Sequence, residues 1–211
     1  MRPGEPVDLT DGVGLVVRGV VRATGPDWLD VDVLRRTLVP APRPRLVVVQ
    51  ALAKGDVGER AVAALTEVGV DCIVPWPAER SVVRWAGPRG DRSLRRWRAI
   101  AAEAAKQSRR AWLPEVAEAE PTDTLARRVS AAALAVVLHE EAGEPLAEQP
   151  VPDHGDVVLI VGPEGGVAGE ELVLLADAGA LPRRLGPTVL RTGTAGVAAV
   201  AVVSAGSGRW R

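Results

Sequence analysis

The chain has no tyrosine, no phenylalanine and a single cysteine among its 211 residues. With Cys72 alone, no internal disulfide can form, and the sequence suits a reducing compartment. Cys72 lies inside the apolar stretch VDCIV, where a small core residue is expected. Only two histidines are present, and no Cys/His cluster has metal-ligand spacing, so no metal is expected. The longest unbroken apolar run, residues 131–138, is far shorter than the roughly 20 residues of a membrane-spanning helix. No membrane partner is therefore expected. The polar, Gly/Pro-rich start lacks the pattern of a secretory signal, and a cytoplasmic location is the expectation.

Alanine and valine do the filling that aromatics do elsewhere. Apolar residues make up 47% of the chain and charged ones 25%, the balance of a globular protein with a sizeable core. The length suits one domain with a small appendage. A net charge of −1 hides an uneven distribution. From Glu79 to Trp112 there are ten Lys/Arg against three Asp/Glu, whereas from Leu113 onward there are seven against fourteen. The positive charge is thus concentrated in one segment, which is either a polyanion-binding surface or a solvated helix face.

The pattern of the first 40 or so residues is that of β-hairpins. A strand around Leu15–Val21 is followed by the turn TGPDW. Leu29, Val31 and Val33 then alternate with Asp30 and Asp32, as in a half-buried strand. VPAPRPR has three prolines in seven residues and reads as a linker. This divides the chain into a small β-subdomain, 1–44, and a larger domain, 45–211. After the linker, LVVVQ is a continuous apolar run typical of a strand buried on both faces. Asp56 fits an N-cap, with Ala61, Leu65 and Val68 on one helical stripe and Gly69 as the stop. VDCIVP follows as a strand, completing a βαβ unit of a parallel sheet. The basic segment predicts a helix from about Arg92 to Ala111, burying Leu94, Trp97, Ala101, Ala104, Ala105 and Ser108. Pro114 then ends it. Residues 195–205 are small and apolar on nearly every side, so that helix must be buried all round, in a core or against a partner chain.

Three loops in the second half follow strand-like runs: LHEEAG, GPEGG and LGPTVLRT. No G-x-G-x-x-G follows the first parallel strand, and GPEGGVAGEE lacks the Gly-Lys-Ser/Thr of a P-loop. Ligands of parallel α/β sheets bind at the carboxyl ends of the strands, so these loops can form one pocket. In it, His139 is either a hydrogen-bonded structural residue or a base. Glu164 faces the pocket or the N–H groups of its own loop. Arg191 stands out in a loop otherwise poor in side chains. Trp97 lies on the buried stripe, while Trp85 and Trp112 lie among arginines, where packing and stacking on bases are both open.

LIVGPEGG, followed some twenty residues later by LGPTVLRTGTAG, resembles the paired signature of the SPOUT-class RNA methyltransferases. Within that class the chain is similar to the family that methylates N3 of a uridine in small-subunit (16S) ribosomal RNA. QALAK, EVGVDCIVPWPAERSV and RRWRAIAAEAAKQSRRAWLPEV extend the likeness over about residues 46–210. The resemblance implies an α/β fold, a parallel-sheet domain tied in a trefoil knot near its C-terminal end, preceded by a PUA-like RNA-binding β-subdomain. It implies S-adenosylmethionine held bent by three loops. Leu138 and His139 lie in the first, Gly162, Glu164, Gly165 and Gly166 in the second, and Leu185, Gly186, Leu190, Arg191 and Thr192 in the third. Bare glycines would let main chain close around the cofactor. It implies a homodimer, and 16S rRNA within the small ribosomal subunit as substrate. Arg191 is the expected catalytic residue. Lys54, Arg80, Arg84, Arg109 and Arg110 are the expected RNA contacts.

The chain departs from the family in three places. It begins with fewer N-terminal strands than family members usually have. Gly193 stands where Leu-Arg-Thr-Glu-Thr-Ala commonly has its Glu. Ala168 stands where a Ser often caps the next helix, a loss of about 1 kcal/mol that Glu170 and Glu171 partly offset through the helix dipole. A non-catalytic rRNA-binding protein that kept the fold, and a ribose 2′-O-methyltransferase, are the rival readings.

Overall fold

A computed structural model describes residues 1–210, which form two compact units. The first comprises Met1–Ala41 together with Arg109–Leu113. It is a three-stranded antiparallel sheet of β1 (Pro6–Thr10), β2 (Leu15–Thr24) and β3 (Leu29–Leu38), with β2 in the centre. β1 carries little period-2 signal and was not anticipated. β2 and β3 are longer than the alternating patterns suggest, because β2 changes register at Gly19 and again before Ala23. A Cβ on Gly19 would lie 2.3 Å from Val31 Cγ1, so the irregularity needs glycine. β3 is not half-buried along its length: only its first three residues and Thr37 are partly covered, and Val33 is 48% exposed.

Residues 109–113 join this unit through main-chain pairing. Gly14 N–H donates to Ala111 O (3.1 Å), Leu113 N–H to Gly12 O (2.9 Å), and the Trp112 indole N–H to Val39 O (2.9 Å). A Cβ on Gly14 would meet the Trp112 ring at 2.8 Å, so the glycine is what admits the indole.

The second unit, residues 42–108 with 114–210, is built on a six-stranded sheet. Its strands are β4 (Arg45–Ala51), β5 (Cys72–Trp76), β6 (Glu115–Val116), β7 (Leu134–Leu138), β8 (Asp156–Val161) and β9 (Leu181–Arg183). Every pairing is parallel, in the order β6-β5-β4-β8-β7-β9. The helices are α1 (Val57–Glu67), α2 (Gly87–Gln107), α3 (Thr122–Ala131), α4 (Gly169–Asp177) and α5 (Thr192–Ser207). Alternate residues of the same strands feed two cores. Leu46, Val48, Val136 and Leu159 pack with Leu65, Trp97, Ala199 and Val203 of α1, α2 and α5. Val47, Val49, Val137 and Ile160 pack with Leu125, Val129 and Leu175 of α3 and α4. Helices on both faces explain why these strands are apolar throughout.

Cys72 is 1% exposed, and desolvation pushes its thiol up to about 12, the signature of an inert core residue. No helix among the described residues is long and apolar enough to cross a membrane.

Helix ends differ from expectation in instructive ways. Asp56 occupies the N-cap position of α1, but its side chain makes no cap bond and pairs instead with Arg60 at 2.8 Å. Gly69 does end the helix, at φ +99°. α2 begins at Gly87 and stops at Gln107, well before Pro114. The reversal is at Arg109, which takes a left-handed φ of +55° and directs the chain into the first unit. Ser108 is therefore the half-buried cap residue and not part of the buried stripe. α5 is not covered all round: Ala195, Ala199, Val200 and Val203 are buried, while Val197, Ala198, Ala201 and Val202 stay half-exposed.

Ala168 is the N-cap of α4, and the missing cap is replaced by more than a dipole effect. Glu171 reaches back to Ala168 N–H (3.4 Å) and accepts bonds from Glu79 N–H (3.0 Å) and the Thr122 hydroxyl (2.7 Å). The Trp76 indole N–H donates to the same hydroxyl (3.1 Å). Glu171 is only 7% exposed, so removing its carboxylate would strand several buried donors. Glu171→Ala is expected to lower unfolding stability by about 3 kcal/mol, and Glu171→Gln by clearly less, because one acceptor oxygen remains. Urea titration of both variants checks this; equal losses would show that charge, and not hydrogen bonding, does the work.

Candidate active site

The loops leaving β7, β8 and β9 meet at the carboxyl end of the sheet and enclose a cleft of about 510 Å³. This is where a parallel α/β sheet places its ligands. Leu138 and His139 line it from the first loop. Gly162, Glu164 and Gly166 do so from the second, and Leu185, Gly186, Leu190, Arg191 and Thr192 from the third. Ten of the eleven anticipated cofactor residues are therefore in its wall; the eleventh, Gly165, is not.

The second loop shows why. Gly166 N–H closes a turn onto Pro163 O at 2.9 Å, with Gly166 at φ +74°. At Gly162 a Cβ would lie 2.9 Å from Val167 Cγ2, so the loop can fold this tightly only without a side chain there. Gly165 turns outward: a Cβ on it would touch Arg80 Cβ at 3.4 Å, and its carbonyl accepts from the Arg80 guanidinium at 3.1 Å. At Gly186 a Cβ would meet nothing within 4 Å, although the residue lines the cleft.

The third loop runs into α5, whose first intrahelical acceptor is Arg191 O, reached by Thr194 and Ala195 N–H at 2.8 and 2.9 Å. The N–H groups of Thr192 and Gly193 precede those bonds, giving this end of the cleft a partial positive charge. Gln50, buried at the end of β4, donates to Thr192 O at 3.4 Å and ties the helix start to the sheet. Arg191 is the N-cap residue, exposed, and its guanidinium has no ion pair or hydrogen bond among the described residues. A Cβ on Gly193 would approach Val57 Cγ1 to 3.0 Å, and Val57 is itself part of the cleft wall.

His139 and Glu164 differ in what they touch. His139 Nδ1 accepts Glu141 N–H at 3.2 Å, and His139 O accepts Ala142 N–H at 3.2 Å, so the residue shapes its turn. Glu164 does not bind the N–H groups of its own loop. Its carboxylate is exposed at the cleft and has no partner among the described residues. Glu140, Val57, Pro163, Arg184, Thr188, Val189 and Ala195 also line the cleft. All but Val57 and Ala195 lie within or beside the loops already marked, so adjacency was their only signal. Arg184 is spent on loop closure, donating to Ala142 O at 2.9 Å and to Gly143 O.

The anticipated RNA contacts are not equivalent. Arg84 is committed to three carbonyls: Pro77 O at 3.2 Å, Glu79 O at 2.7 Å, and Ala78 O. Arg80 is held by Gly165 O. Arg84 is thus tied into the 77–84 loop, while Arg80, exposed, links that loop to GPEGG through one hydrogen bond. Arg109 and Arg110 belong to the first unit, and Arg110 Nε donates to Trp112 O at 3.0 Å. Lys54 is exposed after β4, in the second unit, without an ion pair among the described residues. Also among the described residues, no group of His, Cys, Asp or Glu is arranged to hold a metal ion.

Sheet order, strand-end cleft and glycine loops together describe a small-molecule-binding α/β enzyme fold. The chain belongs to the RNA methyltransferase domain family, which its residues 40–204 match. It is 47% identical over 214 residues to the ribosomal RNA small subunit methyltransferase E of Mycobacterium bovis, an alignment spanning 100% of this chain and 82% of that protein. A methyltransferase of Legionella pneumophila, solved with bound S-adenosylmethionine, superposes with a TM-score of 0.86 at 29% identity. That match covers 97% of this chain and 84% of the other. The ribosomal RNA small subunit methyltransferase E of Neisseria gonorrhoeae, also bound to S-adenosylmethionine, gives 0.85 at 25% identity, covering 97% and 84%.

Proposed function

We propose that this chain transfers a methyl group from S-adenosylmethionine to N3 of a uridine in 16S ribosomal RNA, in the cytoplasm, within the small ribosomal subunit. The observation that carries the reading is the cleft itself: three strand-end loops, two of which bring glycine main chain to its wall, in a family of RNA methyltransferases. The donor set fits the cofactor. Leu138, Val161, Leu185 and Ala195 offer apolar surface for an adenine ring, and main-chain N–H and C=O groups of the loops offer hydrogen bonds to its polar edges. When bound, S-adenosylmethionine supplies an electrophilic methyl group. The chain's own residues orient it and handle the uridine: Arg191 as the cation beside the base, Glu164 as the unpaired carboxylate on the opposite loop.

The reading includes three further parts. The parallel-sheet unit is a SPOUT-type fold knotted at its C-terminal end, and the first unit is a PUA-like RNA-binding module. The half-exposed apolar face of α5 (Val197, Ala198, Ala201, Val202) supports a homodimer, since a face of that composition gains by being covered. The relatives are named as ribosomal RNA small subunit methyltransferases, which supports methyl transfer to that RNA, while the choice of uridine N3 rests on the sequence resemblance. Gly193 and the short first unit are the features that favour a protein binding RNA without modifying it.

Calorimetry with S-adenosylmethionine, followed by nucleoside analysis of unmodified 16S rRNA after incubation, tests the reading. Cofactor binding and 3-methyluridine are the expected results. A 2′-O-methylated nucleoside would replace uridine N3 by ribose chemistry. Tight cofactor binding with no methyl transfer to free rRNA or to subunits would leave a binding protein.

A further inference from the structure

A second concavity lies in the same unit, beside the cleft. Val57 lines the cleft and the next residue, Gly58, lines this pocket, so the first turn of α1 separates the two. The pocket holds about 200 Å³. At roughly 30 Å³ per water-sized group, that is room for one planar ring system and not for a stack. Its walls are aromatic. Trp97 is 4% exposed; a Cβ on Gly58 would lie 2.7 Å from Trp97 Cζ2, so glycine is what lets the indole pack against the start of α1. Trp85 stands edge-on to Trp97, with centroids 4.9 Å apart and planes at 78°. The helical stripe accounts for Trp97 in the core. It does not account for Trp85, which precedes α2, lines the pocket and remains half-exposed.

The lining has one charged residue, the acidic Glu59, and the basic residues stand next to lining positions along the chain. Glu59 and Ser93 line the pocket, and the Glu59 carboxylate is anchored by Arg96 Nε at 2.5 Å. Lys54 precedes Gly55, another lining residue. Arg89 is one turn from Ser93 along α2, and Arg92 is next to it. Lys54, Arg89 and Arg92 are exposed and have no ion pair among the described residues. A hydrophobic peptide would find no use for three unpaired cations. A nucleotide uses both parts, the ring against indole and the phosphates against the cations.

We propose that this pocket holds one unpaired base of the RNA, from a nucleotide next to the methylated one, stacked on Trp85 with its flanking phosphates against Lys54, Arg89 and Arg92. The proposal rests on the RNA methyltransferase reading. The anchored Glu59 carboxylate accepts from N–H donors on the base edge.

The test measures binding of a single-stranded oligoribonucleotide carrying the methylated site to the parent protein, Trp85→Leu, Trp85→Phe and Lys54→Ala. S-adenosylmethionine affinity is measured alongside each. Trp85→Leu is expected to weaken RNA binding about tenfold or more, as loss of one base–aromatic stack does, and Trp85→Phe to retain most of it. Lys54→Ala should reduce the slope of log affinity against log salt by about 1. Cofactor affinity should stay within about twofold throughout. Unchanged RNA affinity in a Trp85→Leu protein that still binds cofactor overturns the proposal. If that variant loses cofactor affinity as well, photocrosslinking of the parent decides, with 5-bromouridine placed singly at each flanking position. An adduct on Trp85 supports the pocket, and adducts only elsewhere overturn it. A parent protein that binds cofactor but neither the oligoribonucleotide nor small ribosomal subunits would overturn the methyltransferase reading together with the pocket.

Discussion

Replacing Arg191 with alanine is expected to slow methyl transfer on the order of 100-fold or more, a far larger loss than any in cofactor affinity. Uridine N3 carries a proton, and its lone pair becomes a good nucleophile only as that proton leaves. Negative charge then spreads onto the two ring carbonyl oxygens. A cation fixed beside them stabilises that charge in the transition state more than in the bound substrate, which is the condition for catalysis. Arg191 is suited to this because its backbone is the N-cap of α5 and its guanidinium is committed to no other group among the described residues. The partial positive charge of the α5 N-terminus acts in the same direction. No carboxylate exists at position 193, and one could be introduced only if Val57, 3.0 Å from a Cβ there, gave way. The remaining acceptors for the proton are water and the two cleft carboxylates, Glu164 and Glu140. Arg191 should therefore act mainly by lowering the uridine's own pKa. Single-turnover rates across pH decide this. Much of the alanine deficit should be recovered at high pH, where uridine ionises unaided, and Arg191→Lys should fall between the parent and alanine because it keeps the charge but loses the planar fork. A deficit that is the same at every pH would make Arg191 a positioning residue.

The second cleft loop could be read from sequence because it couples an apolar strand to a turn that little but glycine and proline can make. The βαβ order after the linker was legible for the same reason: continuous apolar strands and an apolar helical stripe are local signals. Other features are not local. SRRAWLP reads as the end of a helix, but Arg109 reverses the chain in a backbone state that arginine rarely takes, and no pattern announces it. Glu171 meets partners 92 and 49 residues away, so its role as a buried hub is invisible to any window. Charge counting located the basic segment correctly, yet it could not separate Arg84, which is spent on three carbonyls, from Arg92, which is not.

The glycines are the sharpest case, since in sequence all of them look alike, and the structure assigns them different work. Gly186→Val is expected to lower S-adenosylmethionine affinity more than 100-fold, a loss above about 2.7 kcal/mol, with the fold intact. Two facts support tolerance of the fold. Gly186 is not among the residues with positive φ, so valine meets no backbone penalty there, and its Cβ would touch no protein atom within 4 Å. The added branches must instead take up space in the cleft that Gly186 lines. Gly165→Val is the control within the same set of loops. Its side chain would press outward on Arg80, from a contact of 3.4 Å, and leave the cleft open, so a loss of only a few-fold is expected. Gly166→Val is unsuitable as a probe, because φ +74° makes any β-branched residue strained whatever the ligand does. Calorimetry on the 186 and 165 variants, with thermal unfolding of each, separates the outcomes. Full affinity in Gly186→Val would place the cofactor outside this cleft. Equal, large losses in both with normal unfolding would mean that the GPEGG loop moves as one piece and that Gly165 acts through Arg80.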